Sequence, residues 1–134
     1  MFTTAADFSG FHRADGRIGV RNHVIVLSTV ALTARLAVLT AEAVPGAVVV
    51  AGDFPRGLRG PDAATQSRIL SALITHPNVG AALVLCHDTA SREAMAAALA
   101  DAGRPVIVQA FMAASGMADA VERAQIALRD LADR

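Results

Sequence analysis

Residues 81–99 read AALVLCHDTASREAMAAAL. The first seven, Ala81 to His87, form a nearly continuous aliphatic run, the pattern of a strand covered on both faces. The remainder changes period. Thr89 or Ser91 is placed to cap a helix running through Met95 and Leu99, and Gly103 stops it. A buried strand that passes straight into a helix is half of a crossover connection, so the fold turns on whether this unit recurs.

It does recur. HVIVLSTV at 23–30, GAVVVAG at 46–52 and PVIVQAF at 105–111 are further β-branched and aliphatic runs, each with a helical pattern behind it. After the first, Leu32, Leu36, Leu39 and Ala43 draw one stripe ended by Pro45-Gly46. After the second, Asp62 is placed to cap a helix carrying Ile69, Leu70, Leu73 and Ile74, closed by His76 and Pro77. After the last, a helix runs from about Met117 through Val121, Ala124, Leu128 and Leu131. Four β-then-α units call for parallel neighbours, whose crossover helices cover the two faces of the sheet. The expected fold is α/β: a small Rossmann-like or flavodoxin-like three-layer sandwich with a four-stranded parallel sheet.

The size suits one such domain. The 134 residues are enough to bury roughly two thirds of the unfolded chain's surface. No repeat, low-complexity tract or linker divides them, so residues 1–134 are read as a single α/β domain with a tail over about the first ten. Formal charge is balanced, with 12 basic and 12 acidic residues, which leaves no cationic footprint for a nucleic acid. The absence of Trp and Tyr removes most base-stacking platforms as well. Cys86 is the one cysteine, so no intramolecular disulfide can form, and a cytoplasmic address is expected. The start MFTTAADFSG lacks the cationic and apolar regions of a secretory signal. The longest uncharged window, Ile69 to Cys86, is broken by His76-Pro77-Asn78, so no membrane span is expected.

Ligands of open α/β sheets sit beyond the carboxyl ends of the strands, beside helix N-termini. The residues expected there are Ser28 and Thr29, Asp53 to Pro61, Cys86 to Thr89, and Gln109 to Gly116. Among them, Cys86, His87 and Asp88 cluster thiol, imidazole and carboxylate: either they are the candidate catalytic residues, or Cys86 is a buried small hydrophobe and His87 and Asp88 begin a helix cap. Adjacent strand residues point to opposite faces, so the three reach one point only if the backbone turns. The loop GDFPRGLRGPD, 52–62, sets Arg56 and Arg59 between glycines just before a helix start, an arrangement suited to a small anion. It matches neither the P-loop nor the dinucleotide fingerprint.

Upstream, GFHRADGRIGVRN at 10–22 holds Asp15-Gly16, a tight-turn dipeptide, with Phe11 and His12 on one arm and Ile18 and Val20 on the other. An N-terminal β-ribbon follows. Its Arg13, Arg17, Arg21 and Asn22 either lie solvated around the turn or hold a carboxylate or phosphate through planar donor forks.

That stretch, with the apolar strand and Ser28-Thr29-Val30 behind it, resembles the G-[YF]-x-R-x-DGR-x-G-x-RN signature of the altronate and galactarate dehydratase family, where it opens the second domain. These are sugar-acid hydro-lyases, with related sulfolactate sulfo-lyases. LITHPNVGAALVLC at 73–86 and VIVQAFMAASGMADAVERA at 106–124 resemble later parts of the same domain, so the likeness spans roughly Gly10 to Ala127. By it, Arg13, Asp15, Gly16, Arg17, Gly19, Arg21 and Asn22 match signature positions. The resemblance implies a sugar-acid substrate and a divalent metal such as iron, which polarises a hydroxyl as water leaves.

The departures are specific. Thr29-Val30-Ala31-Leu32 lacks the cysteine of the family's TVGC, the 52–62 loop has neither His nor Cys, and Val84 to Asp88 replaces GLGCE, keeping one thiol and an acid. The family's amino-terminal small domain and long carboxyl-terminal portion have no counterpart in the sequence.

Three readings stand: a subunit of a split hydro-lyase, completed by a partner dehydratase chain; a module that binds a small carboxylate or phosphate; and a non-catalytic remnant whose alanine-rich helices assemble as a homo-oligomer. The first is favoured.

Overall fold

A computed structural model describes residues 7–134; the tail assigned to the first residues lies largely outside that range. The chain opens with β1 (Phe11–His12) and β2 (Ile18–Gly19), a short antiparallel ribbon. β3 (His23–Ser28), α1 (Ala34–Ala41), β4 (Val48–Val50), α2 (Gly60–Ile74), β5 (Val79–Cys86), α3 (Thr89–Ala98), β6 (Val106–Ala110) and α4 (Met117–Ala132) follow. β3 to β6 form one parallel sheet in the order β4-β3-β5-β6. This is the expected three-layer sandwich with its N-terminal ribbon.

Side-chain alternation along the strands fills two cores. Val26, Leu83 and Leu85 face α1 and α4, where Leu36, Ala124, Leu128 and Leu131 meet them. Ile25, Leu27, Val84 and Cys86 face the opposite layer, against Leu70 and Ile74 of α2 and Leu99 behind α3. At about 25 cal/mol per Å² of apolar surface removed from water, these two interfaces are the main stabilising contribution.

The structure corrects five details. Leu32 is 61% exposed, because residues 31–33 form a 3₁₀ turn and the helix begins only at Ala34. That turn is fixed by buried hydroxyls: Ser28 Oγ donates to the Val30 carbonyl (2.7 Å) and meets Thr33 Oγ1 (2.9 Å), and Thr33 Oγ1 also lies 3.2 Å from the Leu85 carbonyl. α1 ends at Ala41, before Ala43. α2 buries Leu70 and Ile74, while Ile69 and Leu73 face outward. Asp62 sits in its first turn; Arg59 holds the cap position in extended conformation, without a side-chain cap bond. At α3 the cap is Asp88, whose side chain accepts from the Ser91 amide, in place of Thr89 or Ser91.

No helix among the described residues is long and apolar enough to cross a membrane.

Candidate functional site

The candidate residues divide between the two ends of the sheet. Arg13, Arg17, Arg21 and Asn22 lie at the amino end, around the turn that leads into β5. Arg13 Nε donates to the Pro77 carbonyl (2.6 Å), and its Nη2 to the Arg21 carbonyl (3.1 Å) and to Asn22 Oδ1 (3.0 Å). Arg17 Nη2 donates to the Thr75 carbonyl and to Asp15 Oδ2, both at 2.6 Å. Sequence reading missed Arg104, which donates to the carbonyls of His76 (2.7 Å) and Val79 (2.6 Å) although its side chain is only 2% exposed. Three guanidiniums thus satisfy the carbonyls at the end of α2 and the following turn, where the helix dipole favours cations. Burial pulls the Arg104 guanidinium below its ordinary value, and its cationic neighbours Arg13 and Arg17 act in the same direction. Hydrogen bonding to Arg17 lowers Asp15 to about 2.

The rest of the signature stretch serves the same joint. Gly16 takes a φ of +82° at the ribbon turn, a left-handed conformation that favours glycine. A Cβ at Gly19 would strike the Pro77 backbone, with the Pro77 carbonyl carbon at 2.7 Å. Asn22 lies against Gly80, where a Cβ would come within 2.7 Å of its Cγ. Asn78 Oδ1 accepts from the amides of Val20 (2.9 Å) and Arg21 (3.3 Å). The two stretches 10–22 and 73–86, far apart in sequence, therefore interlock.

At the carboxyl end, the strand order reverses between β3 and β5: the chain leaves β3 toward β4 and returns past it to β5. Such a switch point opens a crevice between diverging loops. A cavity of about 200 Å³ lies there, lined by Thr29, Arg56, Ser67, Cys86, Ser91 and Met95 among others. Asp88 stands behind its rim, bonded to two of the lining residues. Its Oδ1 accepts from the Ser91 amide (2.8 Å) and hydroxyl (2.7 Å), and its Oδ2 lies 3.5 Å from Arg56 Nη2. Hydrogen bonding to Ser91 holds the Asp88 carboxyl below the usual range, with the Arg56 charge as a smaller cause. Asp88 is therefore a carboxylate near neutral pH. Arg56 reaches it from the 52–62 loop, which enters α2 through Gly60 at φ +58°. Arg59, at the helix cap, is exposed and does not line the crevice.

Cys86 lies at the crevice floor with no exposed surface. Burial pushes its thiol up, more than hydrogen bonding with Thr29 lowers it, so near neutral pH it is a neutral thiol. His87 is half-buried; its carbonyl accepts from the Met112 amide (2.9 Å), and its Nδ1 is buried without a partner among the described residues.

The two ends stand apart. The eight residues of β5 separate the Pro77 joint from Cys86, roughly 23 Å at ~3.3 Å per step. Arg56, Cys86, His87 and Asp88 are brought to one end, Arg13, Arg17, Arg21 and Asn22 to the other, and no single small acid touches both in one copy of the chain.

A divalent metal does not fit the residues present. Among the described residues no group of three His, Cys, Asp or Glu side chains converges. The Cys86 thiol is buried and protonated, and the Asp88 Oδ1 is taken up by Ser91. The chain can orient an anion at Arg56 and shape a crevice around it, but its own donors form no metal centre.

The beta subunit of (2R)-sulfolactate sulfo-lyase from Chromohalobacter salexigens is 33% identical over 78 residues, covering 58% of this chain and 20% of that protein. The matched part is thus about a fifth of the relative's length. No solved structure matches the chain. The family model described as "D-galactarate dehydratase/Altronate hydrolase, second domain" matches residues 10–134, nearly the whole chain. The chain therefore belongs to the D-galactarate dehydratase/altronate hydrolase family and corresponds to its second domain.

Proposed function

We propose that this chain is the second-domain component of a sugar-acid hydro-lyase, incomplete as a catalyst alone and completed by a partner dehydratase chain in the cytoplasm. The observation that carries this reading is the family match over residues 10–134, and the carboxyl-end crevice supports it. Arg56 binds a carboxylate of the substrate, competing with its long 3.5 Å contact to Asp88. Of the candidate catalytic residues, Cys86 lines the crevice, Asp88 reaches it through its bonds to Arg56 and Ser91, and His87 stands next to them in the chain without lining it. Asp88, ionised, is the group able to accept a proton, while the buried Cys86 shapes the floor as a neutral thiol. Ligands for a divalent metal would have to come from the partner, since this chain's own donors among the described residues form no metal centre. Arg13, Arg17, Arg21 and Asn22 hold the ribbon in place, and the partner packs on that end.

The test is reconstitution. The chain, combined with a dehydratase chain from the same organism that carries the remaining portions of the family's proteins, is expected to co-elute with it. Together the two should dehydrate an aldarate or aldonate in the presence of ferrous ion, while either chain alone is inactive. Failure to associate, or full activity of the larger chain without this one, overturns the reading.

The Arg56 contact also favours a second reading, a module that binds a small carboxylate or phosphate without turnover. It predicts saturable binding of a sugar acid or phosphate by the isolated chain, abolished in Arg56→Ala, with no partner and no product.

A further inference from the structure

We propose that the cavity between the ends of β5 and β6 and the first turns of α4 binds a small organic acid with a short aliphatic body. Its floor residues Leu36, Leu85 and Ala120 belong to the α1–α4 side of the sheet, with α3 reaching over the strand ends to add Thr89 and Arg92, and it shares no lining residue with the Arg56 crevice, so the proposal stands apart from the hydro-lyase reading.

The cavity holds about 270 Å³, near the lower end of ligand pockets, which run ~300–1,000 Å³. Its occupant is correspondingly small. The floor is aliphatic, with Leu36, Leu85 and Ala120 from three elements, and the rim carries Arg92 from α3 and Arg123 from α4. Among the described residues no acidic side chain lines it.

Both arginines keep donors free for a carboxylate. Arg92 Nη2 is 3.3 Å from Glu93, its neighbour in sequence. Arg123 Nη1 donates to the Ala113 carbonyl (2.9 Å) and lies 3.8 Å from Asp119. These exposed ion pairs are individually weak and easily exchanged. A carboxylate set between two guanidinium forks gains charge-assisted bonds that neither pair provides.

The floor selects the body of the ligand. A polyhydroxylated acid would set several hydroxyls against Leu36, Leu85 and Ala120, where Thr89 and Gln109 are the further polar side chains in reach, at a cost of ~1–3 kcal/mol for each group left unpaired. An aliphatic chain loses nothing there. Inorganic phosphate would meet the rim and leave the floor unfilled.

Calorimetric titration of the chain with pentanoate, galactarate and inorganic phosphate, in wild type, Arg92→Gln, Arg123→Gln and Arg56→Gln, tests the site. Pentanoate is expected to saturate one site, to bind at least tenfold more tightly than galactarate or phosphate, and to weaken at least tenfold in Arg92→Gln and Arg123→Gln but not in Arg56→Gln. Arg123 also braces the Ala113 carbonyl; should Arg123→Gln melt early, Arg92→Gln, whose guanidinium is on the surface, decides alone. No saturable pentanoate binding, binding undiminished in Arg92→Gln, or preference for phosphate or galactarate overturns the proposal.

Discussion

Cys86 ends β5 with its thiol sealed beneath Thr29 and the α2–α3 layer, and this burial sets its chemistry. A thiol reacts as the thiolate, and a group whose charged form is disfavoured by desolvation stays protonated to higher pH than a free cysteine. As pH rises through the free-thiol range near ~8.5, alkylation of an exposed cysteine accelerates, while Cys86 lags. Iodoacetamide at pH 8 is expected to label the native chain at least tenfold more slowly than the chain in urea, followed by mass spectrometry; equal rates would show an accessible, activated thiol. The sequence places Cys86 at a strand end but cannot tell a thiol on the rim from one beneath it. That depends on α2, whose inward face is Leu70 and Ile74, with Ile69 and Leu73 turned outward. Aliphatic residues at all four positions leave the facing stripe ambiguous until the sheet fixes it. Asp88, adjacent to Cys86, was legible as part of a helix start because Asp favours that position; its second contact, to Arg56 across 32 residues of chain, was not.

The β1–β2 ribbon is held by what it docks against. A two-stranded ribbon is marginal by itself, and this one is fixed by Arg13 and Arg17 on the carbonyls of Pro77 and Thr75 and by the close approach of Gly19 to Pro77. Gly19→Ala is expected to lower stability by ~1–3 kcal/mol through steric conflict with backbone that cannot rotate away. Thermal and urea melts of the two proteins measure it; an unchanged midpoint would show that the ribbon does not rest on Pro77. The turn itself was readable from Asp15-Gly16, since positive φ is a local demand. Its docking partner was not, because Thr75 to Val79 lies some 60 residues along the chain and carbonyl acceptors leave no mark in a sequence. The same holds for the entry to α1, where buried hydroxyls of Ser28 and Thr33 replace the expected first helical turn by 3₁₀ geometry.

Across the whole chain, four aliphatic runs alternating with helices are enough to imply a parallel sheet, and the observed order β4-β3-β5-β6 follows with every neighbour parallel. That order gives the two ends of the sheet different work. The amino end is built from mutual contacts between the 10–22 and 73–86 stretches, whereas the carboxyl end collects loops around a crevice and leaves an arginine beside it. The place of Arg56 beyond a strand's carboxyl end was legible in the sequence; that Arg13 and Arg17 are occupied by the carbonyls of Pro77 and Thr75 was not. The central claim is that the carboxyl-end crevice, through Arg56, is where this domain meets substrate. The most direct measurement is kcat/KM for aldarate dehydration by the reconstituted assembly carrying Arg56→Gln, read together with the melting temperature of the variant chain. The account predicts a fall of at least tenfold, ~1.4 kcal/mol or more, with the melting temperature unchanged because Arg56 is on the surface. Full activity in Arg56→Gln would contradict it.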